Sequence, residues 1–415
     1  MWSLGRLIAR IPELVLDEDR FRMISIAVST KIGQSDDLTS RACWLFSEIF
    51  KVFSAGDESS FLVSTFDEFS SMLLSAVDNI GSDADALDAC VGALNHLIER
   101  TPGTMEESYY NLFGEVVGRM HPLVESLQRQ DEIGVRKLVG YCSFVQAIAM
   151  NIGATIQPLA NDVTTMLIQC LDNDLIIKDV LPALGAIARA IGPEFGQYLQ
   201  SFLDKIIDYL QEQENVLSAA VFVSDMYAGM AESFDRETTE RFIELLFEGF
   251  NIPDISGESR NALYSALNEI AKQLDTECLS WVDRFLEMIE RESRAVFPSD
   301  SQMPDEEALR SFALTILQVY QTLVPIFGKV ERGDRKVRNF FHIFDKLMRN
   351  IDFLNEEVLM DAVVLILVVA QTFGRKMNVY THKPAVIQIL NAAANSDNET
   401  LVGAAAAAQE EIRNC

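Results

Sequence analysis

The sequence predicts an all-α protein, a right-handed α-solenoid of about nine to ten HEAT repeats, and three observations carry that prediction. An apolar phrase is written twice, AIAMNIGATI at 147–156 and AIARAIGPEF at 186–195, 39 residues apart. An apolar anchor followed by a helix end recurs around Leu7, Ile49, Leu97, Ile148, Ile187, Met226, Ile270, Tyr320 and Val369, at intervals of 42, 48, 51, 39, 39, 44, 50 and 49 residues. These intervals fall at or slightly above the about 40 to 47 residues of HEAT and armadillo helix pairs, far from the about 33 or 34 of ankyrin and tetratricopeptide repeats. Finally, 415 residues, 49% of them apolar, exceed what one core organises, so the chain needs several domains or an array, and the repeated phrase favours the array.

The expected layout is a single continuous array over 1–415, with repeats at 1–35, 36–80, 81–129, 130–172, 173–213, 214–252, 256–297, 303–351 and 353–396 and a terminal helix at 398–414. In the first repeat Arg6 and Arg10 look faintly like a transit signal, but Trp2, Leu4, Leu7, Ile8 and Ile11 read more simply as the apolar face of a helix. Gly153 and Gly192 follow the two apolar phrases and are expected to end one helix and turn the chain into the next. In FGQYLQSFLDKIIDYLQE, Leu199, Phe202, Leu203, Ile206, Ile207 and Leu210 step by three and four, which predicts one amphipathic second helix. Joints are expected where Gly, Pro and polar residues cluster, at 54–60, 251–259 and 297–307. AVVLILVVA at 362–370 has nine residues against the roughly 18 needed to span a bilayer and reads as a buried helix. The run Ala404 to Ala408 supplies propensity to a polar-faced last helix, and the sequon at Asn398 reads as its start rather than as a glycosylation site.

Composition narrows the chemistry. With 62 acidic and 34 basic residues the net charge is −28, which argues against nucleic acid and anionic membranes and for basic protein partners. The six cysteines show no CxxC spacing and most sit in apolar runs, as small hydrophobes in a reducing compartment do. Four histidines, no HExxH, no Walker A sequence and no Gly-x-Ser-x-Gly elbow leave no basis for an enzyme, a metal or a cofactor. The one basic stretch, GKVERGDRKVR at 328–338, reads as a solvated connector before it reads as a binding patch.

A more specific pattern lies in the second helices. FLDKI (202–206), FIELL (242–246), FLEMI (285–289) and IFDKL (343–347) place Asp204, Glu244, Glu287 and Asp345 in one register after an apolar pair. Asp208 and Glu248 follow Asp204 and Glu244 one turn later, and Asp283 precedes Glu287. Like charges at that spacing cost a few tenths of a kcal/mol each and gain nothing locally. Two readings stay open, an ordinary solvated face or an acidic wall that attracts a long basic segment. Trp2 and Trp44 stand 42 residues apart at equivalent places, either as core or as indoles that stack on an arginine beside carboxylates.

WSLGRLIARIPELVLDEDRF, SRACWLFSEIF, LPALGAIARAIGPEFGQYLQSFLDKI and VVAQTFGRKMNVYTHKPAVIQIL, in that order, resemble the C-terminal half of the importin-β family, the karyopherin-β nuclear import receptors. The two Trp contexts and the turn at 192–195 carry the resemblance, which covers essentially the whole chain and is weakest over 290–345. It implies a receptor whose second helices line an inner surface for the basic importin-β-binding helix of importin-α or for basic cargo. Trp2, Trp44, Asp204, Asp208, Glu244, Glu248, Asp283, Glu287 and Asp345 are then the contacts. It further implies grooves for phenylalanine-glycine nucleoporins near 175–275, with Phe222, Tyr227 and Tyr264 as candidates, and work in the cytoplasm, the nucleus and the nuclear pore complex. The chain opens in mid-repeat, so the sequence is expected to be truncated and to lack the family's main Ran-GTP site. The alternative is another HEAT scaffold, such as a phosphatase regulatory subunit, for which a more uniform repeat near 39 residues is expected.

Overall fold

The structure, a computed structural model, describes residues 1–54, 60–81, 83–127, 132–296, 306–338, 340–349 and 355–415. The expected joints at 54–60 and 297–307 lie mostly outside them. Among the described residues the regular elements are all helical, and the chain divides into two compact units, 1–239 and 240–415.

The first unit runs α1 (Trp2–Arg10), α2 (Glu13–Leu16), α3 (Glu18–Ser29), α4 (Asp36–Phe50), α5 (Ser60–Asn79), α6 (Ala84–Arg100), α7 (Glu106–Ser126), α8 (Glu132–Ile152), α9 (Gln157–Cys170), α10 (Ile177–Ile191), α11 (Gly196–Leu199), α12 (Leu203–Tyr209), α13 (Val216–Met230) and the first turn of α14 (Arg236–Gly249). Side chains set several starts: Asp17, Ser35 and Asp83 each accept a hydrogen bond from the backbone amide three residues on. Each such cap contributes about 1 kcal/mol. One layer forms as α1 packs on α4, α4 on α6, α6 on α8, α8 on α10 and α10 on α13, while α5 packs on α6, α7 on α8 and α9 on α10.

The repeated phrase has its cause here. Gly153 and Gly192, at the ends of α8 and α10, have φ of +53° and +62°, and glycine adopts this region at little cost. The small residues before Gly192 let two backbones touch. A Cβ on Gly229 of α13 would come within 2.5 Å of Arg189 Cα and 2.6 Å of the Ala188 carbonyl oxygen, both on α10. Beside this contact Arg189 pairs with Asp225 at 3.2 Å.

Two departures from expectation stand in this unit. The amphipathic stretch after Gly192 is two short helices, because the chain leaves helical geometry at Gln200–Phe202. Phe202 takes φ −141° and inserts between Phe195 and Phe222, at centroid distances of 6.1 and 5.8 Å, so core packing overrides the helical period. In α1 and its neighbours the expected apolar face is buried at Ile8, whereas Trp2, Leu7, Ile11, Leu16, Met23 and Ile26 are exposed.

The second unit contains the rest of α14, then α15 (Gly257–Leu274), α16 (Val282–Val296), α17 (Glu306–Gly328), α18 (Asp334–Arg338), α19 (Phe340–Arg349), α20 (Glu356–Phe373), α21 (Asn378–Thr381), α22 (Pro384–Ala394) and α23 (Glu399–Asn414). Here α17 packs on α15, α20 on α17 and α23 on α20, with α22 against both α19 and α23. Gly374 closes α20 at φ +51°, ψ −131°, and Asp275 closes α15 at almost the same angles, +51° and −127°. A non-glycine residue there stores about 1 to 3 kcal/mol of strain, and its carboxylate is fixed by Lys329 Nζ at 2.8 Å from both oxygens. Asn398 is a helix start, as expected: its Oδ1 accepts from the amides of Thr400 and Leu401. The alanine run turns Ala405 and Ala408 into the core.

Among the described residues three helical stretches, Glu132–Cys170, Glu306–Gly328 and Glu356–Thr381, are long and apolar enough to cross a membrane by length and composition. Reading only the unbroken run at 362–370 missed this. Part of their apolar surface is packed inside the fold, as with Val363, Ile366 and Val369 of α20, buried against neighbours. Five cysteines are buried, and Cys43 and Cys90, on adjacent first helices, bring their Sγ atoms to 3.2 Å although the sequence separates them by 47 residues.

Candidate interaction face

The shared acid register has a simple physical origin. In α14 Phe242, Ile243, Leu245, Leu246 and Phe247 are buried, and in α16 Val282, Phe285, Met288 and Ile289 are. An apolar stripe that wide pins the helix rotation, so the residues between must face water. Accordingly Asp204 and Asp208 of α12, Glu244 and Glu248 of α14, and Asp283, Glu287 and Glu290 of α16 are exposed, and Asp345 of α19 is half-buried.

The acids of the second unit are not all open. Within the second unit Arg284 pairs with Glu244 at 2.8 Å, Lys336 with Asp283, and Lys383 with Asp345 at 3.9 Å. Exposed pairs of this kind contribute about 0 to 1 kcal/mol, but they neutralise the charge a partner would meet. Asp204, Asp208, Glu248 and Glu287 have no cation within ion-pair distance among the described residues. The basic stretch supplies one of these cations, Lys336, and its other charges pair elsewhere: Lys329 with Asp275, Arg338 with Asp334 and Arg332 with Glu331. It is an ion-paired connector, in keeping with the plainer of its two readings.

Two clefts flank α16. One of about 590 Å³ is lined by Asp283, Glu287, Glu290, Arg335, Lys336 and His342, and the other, of about 350 Å³, by Phe247, Asn251, Arg284, Glu287, Met288 and Arg291. Glu287 borders both. Among the described residues no group of His, Cys, Asp or Glu is arranged to hold a metal ion.

The tryptophans are placed differently from expectation. Within the first unit Trp2 and Trp44 lie on α1 and α4, in the layer of first helices, whereas Asp204 and Asp208 lie on α12, a second helix. Trp44 is half-buried against α1: a Cβ on Gly5 would meet its Cη2 and Cζ3 at 2.6 Å. Trp2 is 59% exposed, and its ring already carries a guanidinium, Arg6 Cζ lying 4.1 Å from the centroid. Trp44→Ala is therefore expected to cost about 2 to 4 kcal/mol of folding stability and Trp2→Ala less than about 1, measured by denaturant unfolding. Equal losses would contradict this placement.

Phe222, Tyr227 and Tyr264 also require correction. Each is at most 1% exposed. Phe222 packs on Phe202, Tyr227 stacks on Phe234 at 4.9 Å and donates to Thr239 Oγ1, and Tyr264 packs on Phe250 at 4.7 Å. Burial pushes both phenols well above their ordinary pKa. Side chains so enclosed offer no surface to a phenylalanine-glycine repeat, because first-helix aromatics face the stacked layers.

Comparison with known proteins follows the same geometry. A family profile described as "Importin subunit beta-1-like, TPR repeats" matches residues 23–394. Importin subunit beta-1 of Saccharomyces cerevisiae is 18% identical over 292 residues, 68% of this chain and 34% of that protein, and its Schizosaccharomyces pombe counterpart 16% over 333 residues, 77% and 38%. The crystal structure of importin-β in a polyethylene glycol condition superposes with a TM-score of 0.78 at 15% identity, covering 99% of this chain and 52% of that one. Yeast importin-β, Kap95p, gives 0.86 at 15% identity over 99% and 49%. This chain thus spans about half the length of those importin-β chains. The helix-pair solenoid and a profile match over most of its length place the chain in the importin subunit beta-1-like family, a family of importin subunits rather than of enzymes.

Proposed function

We propose that the chain is the binding portion of a nuclear transport receptor. Its second-helix carboxylates take a basic segment, the importin-β-binding segment of importin-α or that of a basic cargo, and a separate surface takes phenylalanine-glycine nucleoporins. The observation that carries the reading is the set of open carboxylates, Asp204, Asp208, Glu248 and Glu287, turned to solvent by the apolar pairs beneath them. Family membership supports it, as does the superposition on the Kap95:Nup1 complex, with a TM-score of 0.84 at 15% identity. Partner exchange of this kind works in the cytoplasm and the nucleus and at the nuclear pore complex.

The test is a pull-down with three baits: the basic segment of importin-α, a phenylalanine-glycine repeat fragment, and a phosphatase catalytic subunit. The first two are expected to retain the chain and the third is not. Retention by the catalytic subunit alone would return the chain to the scaffold reading.

A further inference from the structure

The cleft of about 350 Å³ between α14 and α16 is already occupied in a way that identifies its ligand. Arg284 of α16 lays its guanidinium over the Phe247 ring, with Cζ 4.0 Å from the centroid, and donates from Nη1 to Glu244 Oε2 at 2.8 Å. Aromatic face, carboxylate and planar cation form a complete arginine-recognition site whose arginine belongs to the chain itself. Trp281 packs on Phe247 in a T-shaped contact at 6.0 Å, which helps to fix the ring. Phe247 is 1% exposed although it borders an open cleft. Arg284, in contrast, keeps 46% of its side-chain surface in solvent, so it can swing away without breaking the core.

We propose that Glu244 and Phe247 form an arginine subsite for a basic partner and that Arg284 is its resident occupant, displaced when a partner's arginine takes its place. This rests on the reading that the chain binds basic segments and adds where one arginine goes and what resists it. A guanidinium suits the site better than an ammonium, because its plane stacks on the ring while its edge donates to the carboxylate. The exchange swaps one stacked, paired arginine for another, so its net cost is the freedom Arg284 regains set against the order the partner loses. Removing Arg284 opens the subsite. Removing a neighbouring cation that does not stack leaves the subsite filled and changes the local charge by the same amount; Arg291, exposed in the same cleft, is that control.

The experiment titrates an arginine-rich basic peptide, and the same peptide with lysine at every arginine, into the full chain and its variants by fluorescence anisotropy. Arg284→Ala is expected to tighten the arginine peptide about three- to tenfold beyond any gain from Arg291→Ala. The lysine peptide is expected to gain less, and Phe247→Leu added to Arg284→Ala is expected to abolish the difference. Leucine keeps the core filled, and melting curves of all variants establish that they fold. Equal gains for Arg284→Ala and Arg291→Ala, no gain, or a gain that survives Phe247→Leu overturns the subsite while leaving wild-type binding of basic segments standing. Absence of binding by every protein sinks both.

Discussion

Gly229→Ala is expected to lower folding stability by about 3 kcal/mol or more, a large effect for a single methyl group. The added Cβ would lie 2.5 Å from Arg189 Cα, 2.6 Å from the Ala188 carbonyl oxygen and 3.0 Å from that of Arg189. These are backbone atoms of a packed helix, not flexible side-chain ends, so relief requires α10 and α13 to separate. Separation would also loosen the Arg189 and Asp225 pair. Gly118→Ala is the matched control, since a Cβ there meets nothing within 4 Å and alanine favours the helix by about 1 kcal/mol. Denaturant unfolding of both variants checks the claim. A Gly229→Ala protein as stable as the wild type would mean that the close crossing of α10 on α13 does not exist.

Phe21→Ala is expected to cost about 3 to 5 kcal/mol. Phe21 of α3 meets Phe61 at 5.0 Å, Phe69 at 5.9 Å and Phe53 at 6.0 Å, and Phe69 in turn meets Phe46 at 5.2 Å and Phe50 at 5.9 Å. Six rings thus join the first two helix pairs, with Phe21 1% exposed. Truncation loses the ring's transfer energy and leaves a hole that neighbouring rings, held by one another, cannot collapse to fill. Phe21→Leu is expected to lose less, about 1 to 2 kcal/mol. The same unfolding measurement separates the two, and a loss below about 1 kcal/mol for Phe21→Ala would show that the cluster does not hold the first repeats together.

Much of this architecture was legible because it depends on local requirements. Gly153 and Gly192 could be placed at helix ends because the positive φ needed there excludes most side chains. The acid register could be read because two adjacent apolar residues fix which way a helix turns. Long-range facts were not legible. Asp275 takes a turn that Gly192 and Gly374 take elsewhere, and nothing in its own neighbourhood announces that Lys329 will hold it there. The break at Gln200–Phe202 follows from the aromatic contacts of Phe202, not from the period of its own segment. Trp2 and Trp44 share a repeat position with each other but not a layer with Asp204 and Asp208 of the same unit, a distinction that appears only once the first helices stack. The site at Glu244, Phe247 and Arg284 joins residues about forty positions apart, and arginine counted as just one more exposed charge conceals its stacking.

The central claim is that open carboxylates on second helices attract basic segments, and its most direct test is a titration of the importin-α basic segment at increasing salt against wild type and an Asp204→Asn, Glu287→Gln double variant. Charges at the surface act through a field screened within about 8 Å at physiological ionic strength. The account predicts that affinity falls about tenfold or more between about 50 and 300 mM salt, and that the double variant binds about three- to tenfold more weakly at low salt with a shallower salt dependence. Affinity that is independent of salt, or a double variant indistinguishable from wild type throughout, would contradict it.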